Sequence, residues 1–423
     1  MRVLPWPSRW VNLRAKGRDM SSQKRHPQIF RRRVFYIPGY DPFPPRRYRE
    51  LYRAEGRAQA EISGYSVSIA GRTGPGPYGW HVTSLQENTE IQTEFEVLAW
   101  SDIVQGSMAQ SVPATYLRLA RTAWVYISTG ALQRLMRLRK GPVIAALYPV
   151  GMLLLQLAVA VLVLLGCHAL LSLVMGALSW VPAVAVAYAI LLLFRRLDNR
   201  LFAYYLMLDY AHSAHLYGAV SPDLDDRLSQ FADRIEQALA ESLDEVLVVG
   251  HSSGAHLGVM VLADVLQRKR ALAHKPSLSF LTLGQVVPMV SFLPKAQRLR
   301  GDLQLVSVSP DVTWVDVSAP GDGCTFALCD PVGVSGVASP DQRWPLILSA
   351  AFTQTLSPDR WKALRWRFFR LHFQYLCAFD QPGDYDYFRI TAGPKTLRQR
   401  FEARAPSRSR ITNAVSKYTS VQA

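Results

Sequence analysis

The longest pattern in this chain is an absence of charge. From Val143 to Phe194 there is no Asp, Glu, Lys or Arg, whereas a helix crossing a bilayer needs only about 20 apolar residues. The run is long enough for two spanning helices, predicted near Val143–Leu165 and Ser172–Phe194 with a turn at Gly166, Cys167 and His168. A water-facing helix of this length would carry polar positions on its outer face. Pro182 falls inside the second helix and predicts a kink or a shortened span there.

On either side the periods change. Arg33–Ile37 reads as a buried strand running into the turn Pro38-Gly39-Tyr40-Asp41-Pro42, and Arg46–Ile62 reads as a helix. Tyr65–Ala70, Gly79–Thr83 and Ile91–Trp100 alternate as strands do. After the uncharged run, Leu197–His215 is rich in Tyr, Leu and Phe and predicts an interfacial helix or a lid. Leu224, Leu228, Phe231, Ile235 and Leu239 recur at helical spacing, with Ser221 or Asp223 as N-cap. Val246–Val249 is a fully apolar strand, Leu278–Leu283 and Thr313–Val317 are further buried strands, and Ala255–Gln267 is a mostly apolar helix. Continuous apolar strands between helices imply a mostly parallel sheet covered on both faces. The expected fold is therefore α/β with an inserted two-helix transmembrane hairpin. The segments are a basic N-terminal stretch (1–30), a first half-domain (31–141), the hairpin (142–196), a second half-domain (197–400) and a tail (401–423). From Pro406 the tail is polar and Ser/Arg-rich, and is expected to be disordered.

Charge decides which partner the chain suits. Lys and Arg number 48 against 32 Asp and Glu, a net charge of +16, which favours anionic surfaces. The basic residues gather at the N-terminus, beside the uncharged run and near the C-terminus, as expected for a rim facing anionic lipid. RNP-like and finger-like motifs are absent, so nucleic acid is not an expected partner. Arg134, Arg137, Arg139 and Lys140 precede the run, and Arg195, Arg196 and Arg200 follow it. The positive-inside rule then places both ends in the cytoplasm, as for a bacterial inner-membrane protein with two spans and a cytoplasmic catalytic domain. The N-terminus has no apolar h-region, and Met20 is a second candidate start. The four cysteines form no CxxC pair and have no zinc-type spacing. They read as reduced thiols, with a Cys324–Cys329 bridge as the alternative.

The chemistry sits at Gly250-His251-Ser252-Ser253-Gly254, a G-x-S-x-G sequence between an apolar strand and an apolar helix. That context allows a sharp strand-to-helix turn that lifts the Ser252 hydroxyl above the sheet and points helix N–H groups at a developing oxyanion. With Thr282-Leu283-Gly284 ending the next strand, the chain resembles the α/β-hydrolase superfamily, of lipase or esterase type, over residues 30–130 and 215–390.

The resemblance implies a triad acid and a histidine that follow the nucleophile in chain order. Asp322, just past the strand Thr313–Val317, is one candidate acid and Asp316, inside it, is the other; His372 is the sole histidine after Asp322. The resemblance also implies an oxyanion hole from the N–H groups of Ser253 and Tyr40, although the His-Gly turn of many relatives is absent at Tyr40. No metal and no organic cofactor are implied. The expected function is a membrane-anchored serine hydrolase cleaving an ester or thioester of an apolar acyl substrate, with membrane lipids as its partners. The alternative is a non-catalytic hydrolase-fold scaffold or binding protein, which a fluorophosphonate probe would leave unlabelled.

Overall fold

Alternation along the first strand divides the molecule into two layers. In β1 (Ile29–Ile37), Val34 and Tyr36 enter one core, and Phe35 and Ile37 enter the other. This is the period-two geometry of a strand buried on both faces. In the computed structural model of the chain, the described residues are 29–74, 76–108, 111–268 and 276–421; the basic N-terminal segment up to residue 28 lies outside them.

The remaining strands are β2 (Ser66–Gly71), β3 (Gly79–Gln86), β4 (Thr89–Val97), β5 (Glu245–His251), β6 (Ser277–Leu283), β7 (Val312–Ser318) and β8 (Leu346–Ser349). They form one eight-stranded sheet in the order β2-β3-β4-β1-β5-β6-β7-β8. β2, β3 and β4 pair antiparallel, and every pairing from β4 to β8 is parallel. The fold is thus α/β with a mixed, mostly parallel sheet.

The helices of the first half are α1 (Arg46–Ser63), α2 (Ser101–Met108), α3 (Val112–Ser128), α4 (Ala131–Leu138), α5 (Lys140–Met175) and α6 (Trp180–Arg196). Then follow α7 (Asp198–Leu201), α8 (Ala203–Ala214), α9 (Pro222–Leu239), α10 (Gly254–Gln267), α11 (Pro288–Ser291) and α12 (Gln297–Val308), with short helices beyond. Residues of α9, α10 and α12 pack on the Phe35 face; α1 and residues from Phe352 to Phe401 pack on the Tyr36 face.

Three expectations are corrected. First, the uncharged run does not turn at Gly166–His168. It forms one helical segment, Lys140–Arg196, long and apolar enough to cross a membrane by length and composition. Its only interruption is a 3₁₀ turn at Gly176–Ser179. The break falls where Gly176 adopts φ 54°, a region glycine enters without penalty. Pro182 lies in the first turn of α6, where a missing N–H costs little. Second, β1 begins at Ile29 and not at Arg33. Arg32 is fully buried, and its Nε lies 2.5 Å from Glu245 Oε2, which hid the strand behind charged residues. Third, the tail is laid against the body rather than disordered. Ile411 pairs with Leu328 and Asp330, and Val415 and Ser416 donate to Val334. The buried Arg300 donates to the Ser420 carbonyl at 2.7 Å.

Candidate active site

The strand-to-helix turn forms where the glycines allow it. Ser252 has φ 57°, a left-handed conformation that costs a non-glycine residue about 1–3 kcal/mol and tends to mark functional sites. A Cβ on Gly254 would lie 2.1 Å from the Ile37 carbonyl oxygen, and one on Gly250 would lie 2.6 Å from that of Gly254. The helix can approach the sheet only because both side chains are absent. The Ser252 N–H is held by the Leu283 carbonyl at 2.9 Å. From the other side, a Cβ on Gly39 would sit 3.0 Å from Ser252 Cβ and 3.5 Å from its Oγ. The turn after β1 therefore covers the serine directly.

Of the two candidate acids, the structure brings Asp322 to the histidine. Asp322 Oδ2 lies 2.7 Å from His372 Nδ1, and a carboxylate acceptor fixes the proton on Nδ1. The same oxygen accepts from the Tyr375 hydroxyl at 3.1 Å, and Oδ1 accepts from the Cys324 N–H at 2.9 Å. His372 Nε2 is buried without a partner among the described residues. The imidazole stands beside the serine turn. His251 stacks on it with centroids 4.9 Å apart, its Nε2 is 3.1 Å from the His372 carbonyl, and a Cβ on Gly284 would lie 3.0 Å from His372 Cε1. Asp316 stays inside β7, where Thr282 Oγ1 donates to it at 2.6 Å; burial pushes its carboxyl up to about 7.

Tyr40 and Ser253, the expected oxyanion donors, are both buried, and neither N–H donates to a protein acceptor among the described residues. The Tyr40 ring is held by Ser107 Oγ at 2.5 Å, and its carbonyl accepts from the Tyr205 hydroxyl. Tyr205 belongs to α8, the segment expected as an interfacial helix or lid, so that helix braces the turn over Ser252.

α8 also brings a group that sequence reasoning missed. Asp209 lies beside the Ser253 side chain and feels the charge of His372; burial pushes its carboxyl up to about 7. A lone acid among the Tyr, Leu and Met residues of Tyr204–His215 was the available signal. Tyr375, which bridges Asp322 and the Ala319 N–H, had none.

α8 separates two cavities. One, of about 820 Å³, opens beside Ser253 and is lined by Asp209, His212, His256, Arg118 and Arg121. Burial lowers His212 to about 4 and His256 to about 3, so both imidazoles are neutral. The other, of about 170 Å³, is apolar and lies against α5. His251 packs beneath His372, and His256 lines the larger cavity.

Asp322, Cys324 and His372 place possible metal-ligand atoms within 4.8 Å of one another. Asp322 is engaged by three donors, and burial together with the Asp322 charge pushes the Cys324 thiol well up, leaving it protonated. All four cysteines are free, so Cys324 and Cys329 form no bridge. No protein-family model, curated protein or solved structure matches this chain.

Proposed function

We propose that the chain is a membrane-anchored serine hydrolase of the α/β-hydrolase type, cleaving an ester or thioester of an apolar acyl substrate. The observation that carries this reading is the His372 ring: Asp322 on Nδ1, an unpartnered Nε2, and the left-handed Ser252 turn beside it. Two further features support it. The nucleophile strand β5 lies between β1 and β6 in a mostly parallel sheet, with the acid just past the end of β7. The free N–H groups of Tyr40 and Ser253 flank the serine.

On this reading His372 Nε2 takes the Ser252 proton as Oγ attacks the acyl carbonyl. The Ser253 and Tyr40 N–H groups stabilise the oxyanion. His372 returns the proton to the leaving alcohol or thiol, and an acyl-Ser252 ester remains. A water then gives its proton to His372 and attacks that ester, releasing the acid and restoring the serine. Asp322 keeps the imidazole in the right tautomer, and Tyr375 keeps Asp322 in place.

The long apolar segment is read as a membrane hairpin. His168 stacks on Trp180 at 3.8 Å, and the Tyr148 hydroxyl donates to the Leu201 carbonyl at 2.7 Å, so α6 returns along α5. The basic residues at both ends would keep the sheet domain cytoplasmic. The test is Ser252→Ala in the full chain in native membranes. Fluorophosphonate labelling and p-nitrophenyl ester hydrolysis should vanish while membrane insertion is unchanged. Equal labelling of the variant, or no labelling of the parent, refutes the assignment; the second result favours a scaffold.

A further inference from the structure

The larger cavity carries charges that do not cancel. Its volume, about 820 Å³, is that of a small-molecule site. Arg118 and Arg121 both line it from α3, and residues at this spacing share one helix face. Each donates to a single carbonyl, Arg118 to that of Ser107 at 3.1 Å and Arg121 to that of His215 at 3.3 Å. Neither has a carboxylate partner among the described residues. Partial burial, and then the charges of Arg121 and Arg118, lower His215. Three acids also line the cavity. Asp102 is held by Arg227 at 2.7 and 2.9 Å. Asp223 sits in the first turn of α9, where the helix N-terminus offsets its charge. Burial pushes Asp209 up to about 7, so below that pH its carboxyl is mostly neutral.

Two helices begin at this cavity. Ser221 is the N-cap of α9 and Ser253 the N-cap of α10; both line it, and neither side chain caps its helix. First-turn N–H groups have no acceptor within their own helix, and with the macrodipole they make an N-terminus attractive to anions. His256, in the first turn of α10, lines the same space. It is 8% exposed, and its Nδ1 has no partner among the described residues. Burial lowers it to about 3, and a neutral imidazole keeps one N–H to donate. The cavity reaches the serine turn through Ser253. It reaches the turn after β1 through His212, which packs on the Tyr40 ring with centroids 5.7 Å apart.

We propose that this cavity holds a phosphate group carried by the leaving half of the substrate, so that the ester or thioester cleaved at Ser252 is that of a phosphorylated alcohol or thiol. The inference rests on the hydrolase reading above and adds the half of the substrate that reading leaves open. An apolar acyl chain gains nothing from two guanidinium groups without carboxylate partners. A phosphate does, because arginine binds its oxygens through paired, charge-assisted N–H bonds. Only the bond from the acyl carbon to oxygen or sulfur breaks. The acyl carbon passes to Ser252 Oγ, the leaving oxygen or sulfur takes the proton from His372, and the phosphate departs intact with it. A glycerol phosphate and a nucleotide-bearing thiol share this chemistry, and the experiment separates them.

The experiment uses the full chain in vesicles of phosphatidylcholine, whose headgroup has no net charge to compete. Two pairs of butanoyl substrates differ only in the leaving half. One is butanoylglycerol 3-phosphate against monobutanoylglycerol, and the other is butanoyl-coenzyme A against the N-acetylcysteamine thioester. kcat/KM is measured for the parent, for Arg118→Gln/Arg121→Gln and for Arg118→Lys/Arg121→Lys. We expect the parent to prefer the phosphorylated member of at least one pair by about tenfold or more, and the preferred pair names the source. The glutamine variant should lose about tenfold of that preference, with the unphosphorylated member within about threefold of the parent. The lysine variant, which keeps the charge, should restore part of it. Fluorophosphonate labelling reports a folded site. If the glutamine pair abolishes labelling, Arg121→Gln alone, at an exposed position, carries the test with a loss of about threefold or more. A labelled parent with no preference in either pair, or a preference that survives the glutamine substitutions, removes the phosphate subsite alone. A parent that is not labelled and cleaves none of the four substrates ends the hydrolase reading and this inference with it.

Discussion

Replacing Gly284 by alanine puts one methyl group against His372, the proposed base, and the structure sets the size of the effect. Gly284 has φ +54°, so any L side chain is strained there, at about 1–2 kcal/mol. The new Cβ would lie 2.7 Å from Tyr375 Cε2 and 3.0 Å from His372 Cε1. Neither ring can yield freely. Tyr375 is fully buried with its hydroxyl tied to Asp322 and to the Ala319 N–H, and His372 is tied to Asp322 through Nδ1. Overpacking of such a site costs about 1–3 kcal/mol. The expected loss of stability is therefore about 2–5 kcal/mol.

The catalytic effect should be larger, because a misplacement on the order of 1 Å can cost about 10²-fold. Gly64→Ala is the control. Gly64 has φ +71° with nothing within 4 Å of its would-be Cβ, so it carries the backbone strain without the contact. Thermal unfolding and the second-order rate of fluorophosphonate labelling are measured for both. If Gly284→Ala loses no more stability than Gly64→Ala and labels at the parental rate, the packing of His372 against this turn is wrong.

Three further outcomes are expected. His372→Ala should lower turnover by on the order of 10⁶-fold and Asp322→Asn by on the order of 10⁴-fold, as in other Ser-His-Asp enzymes, and the double variant should be little worse than His372→Ala in the same ester assay. Asp316→Asn should leave turnover within a few-fold. The raised folded pKa of Asp316, about 7, means its stabilising contribution is complete below the unfolded value near 4 and is lost as pH rises through 7. Melting temperatures between pH 5 and pH 8 should accordingly fall less in this variant than in the parent. Asp209→Asn should label like the parent at pH 6, where the carboxyl is mostly neutral, and several-fold more slowly at pH 8.5. At that pH the parental carboxylate favours the imidazolium that forms in the transition state; equal rates at both pH values would remove Asp209 from the mechanism.

What could be read from the sequence follows from which residues announce their surroundings. The strand Val246–Val249 is apolar throughout and the helix Ala255–Gln267 mostly so, because the strand is fully buried and the helix nearly so, and this context with the G-x-S-x-G turn located Ser252. Chain order then pointed to His372, and the end of the strand pointed to Asp322 ahead of Asp316; the structure sets Asp322, and not Asp316, against His372. β1 was read too short because Arg32 is paired inside the core, and a pattern of polar and apolar residues cannot see its partner Glu245. The tail was misread for a similar reason. Ser420 and its neighbours look solvated, but they satisfy the buried Arg300, which lies far away in sequence. The turn at Gly176 was missed because Gly166 was the more central glycine, and a single sequence does not say which one will leave the helical region.

The place where the apolar segment enters the chain bears on the chemistry. It interrupts the sheet domain after β4 and before β5, and its first turn lies on the loop that carries Asp322, through the contact of Gly141 with Gly323. Arg139, immediately before α5, donates to the Ala327 carbonyl at 2.9 Å on the same loop. α8, which follows the segment, reaches back to the Tyr40 carbonyl and to Ser253. Both ends of the segment are thus tied to loops of the candidate site, one to the loop of Asp322 and the other to the turn over Ser252. On the membrane-spanning reading this is more than an anchor, because a simple anchor could be joined by a linker at any exposed surface. On that reading, a segment fixed at both ends to these loops would hold the candidate site at a set height above the bilayer.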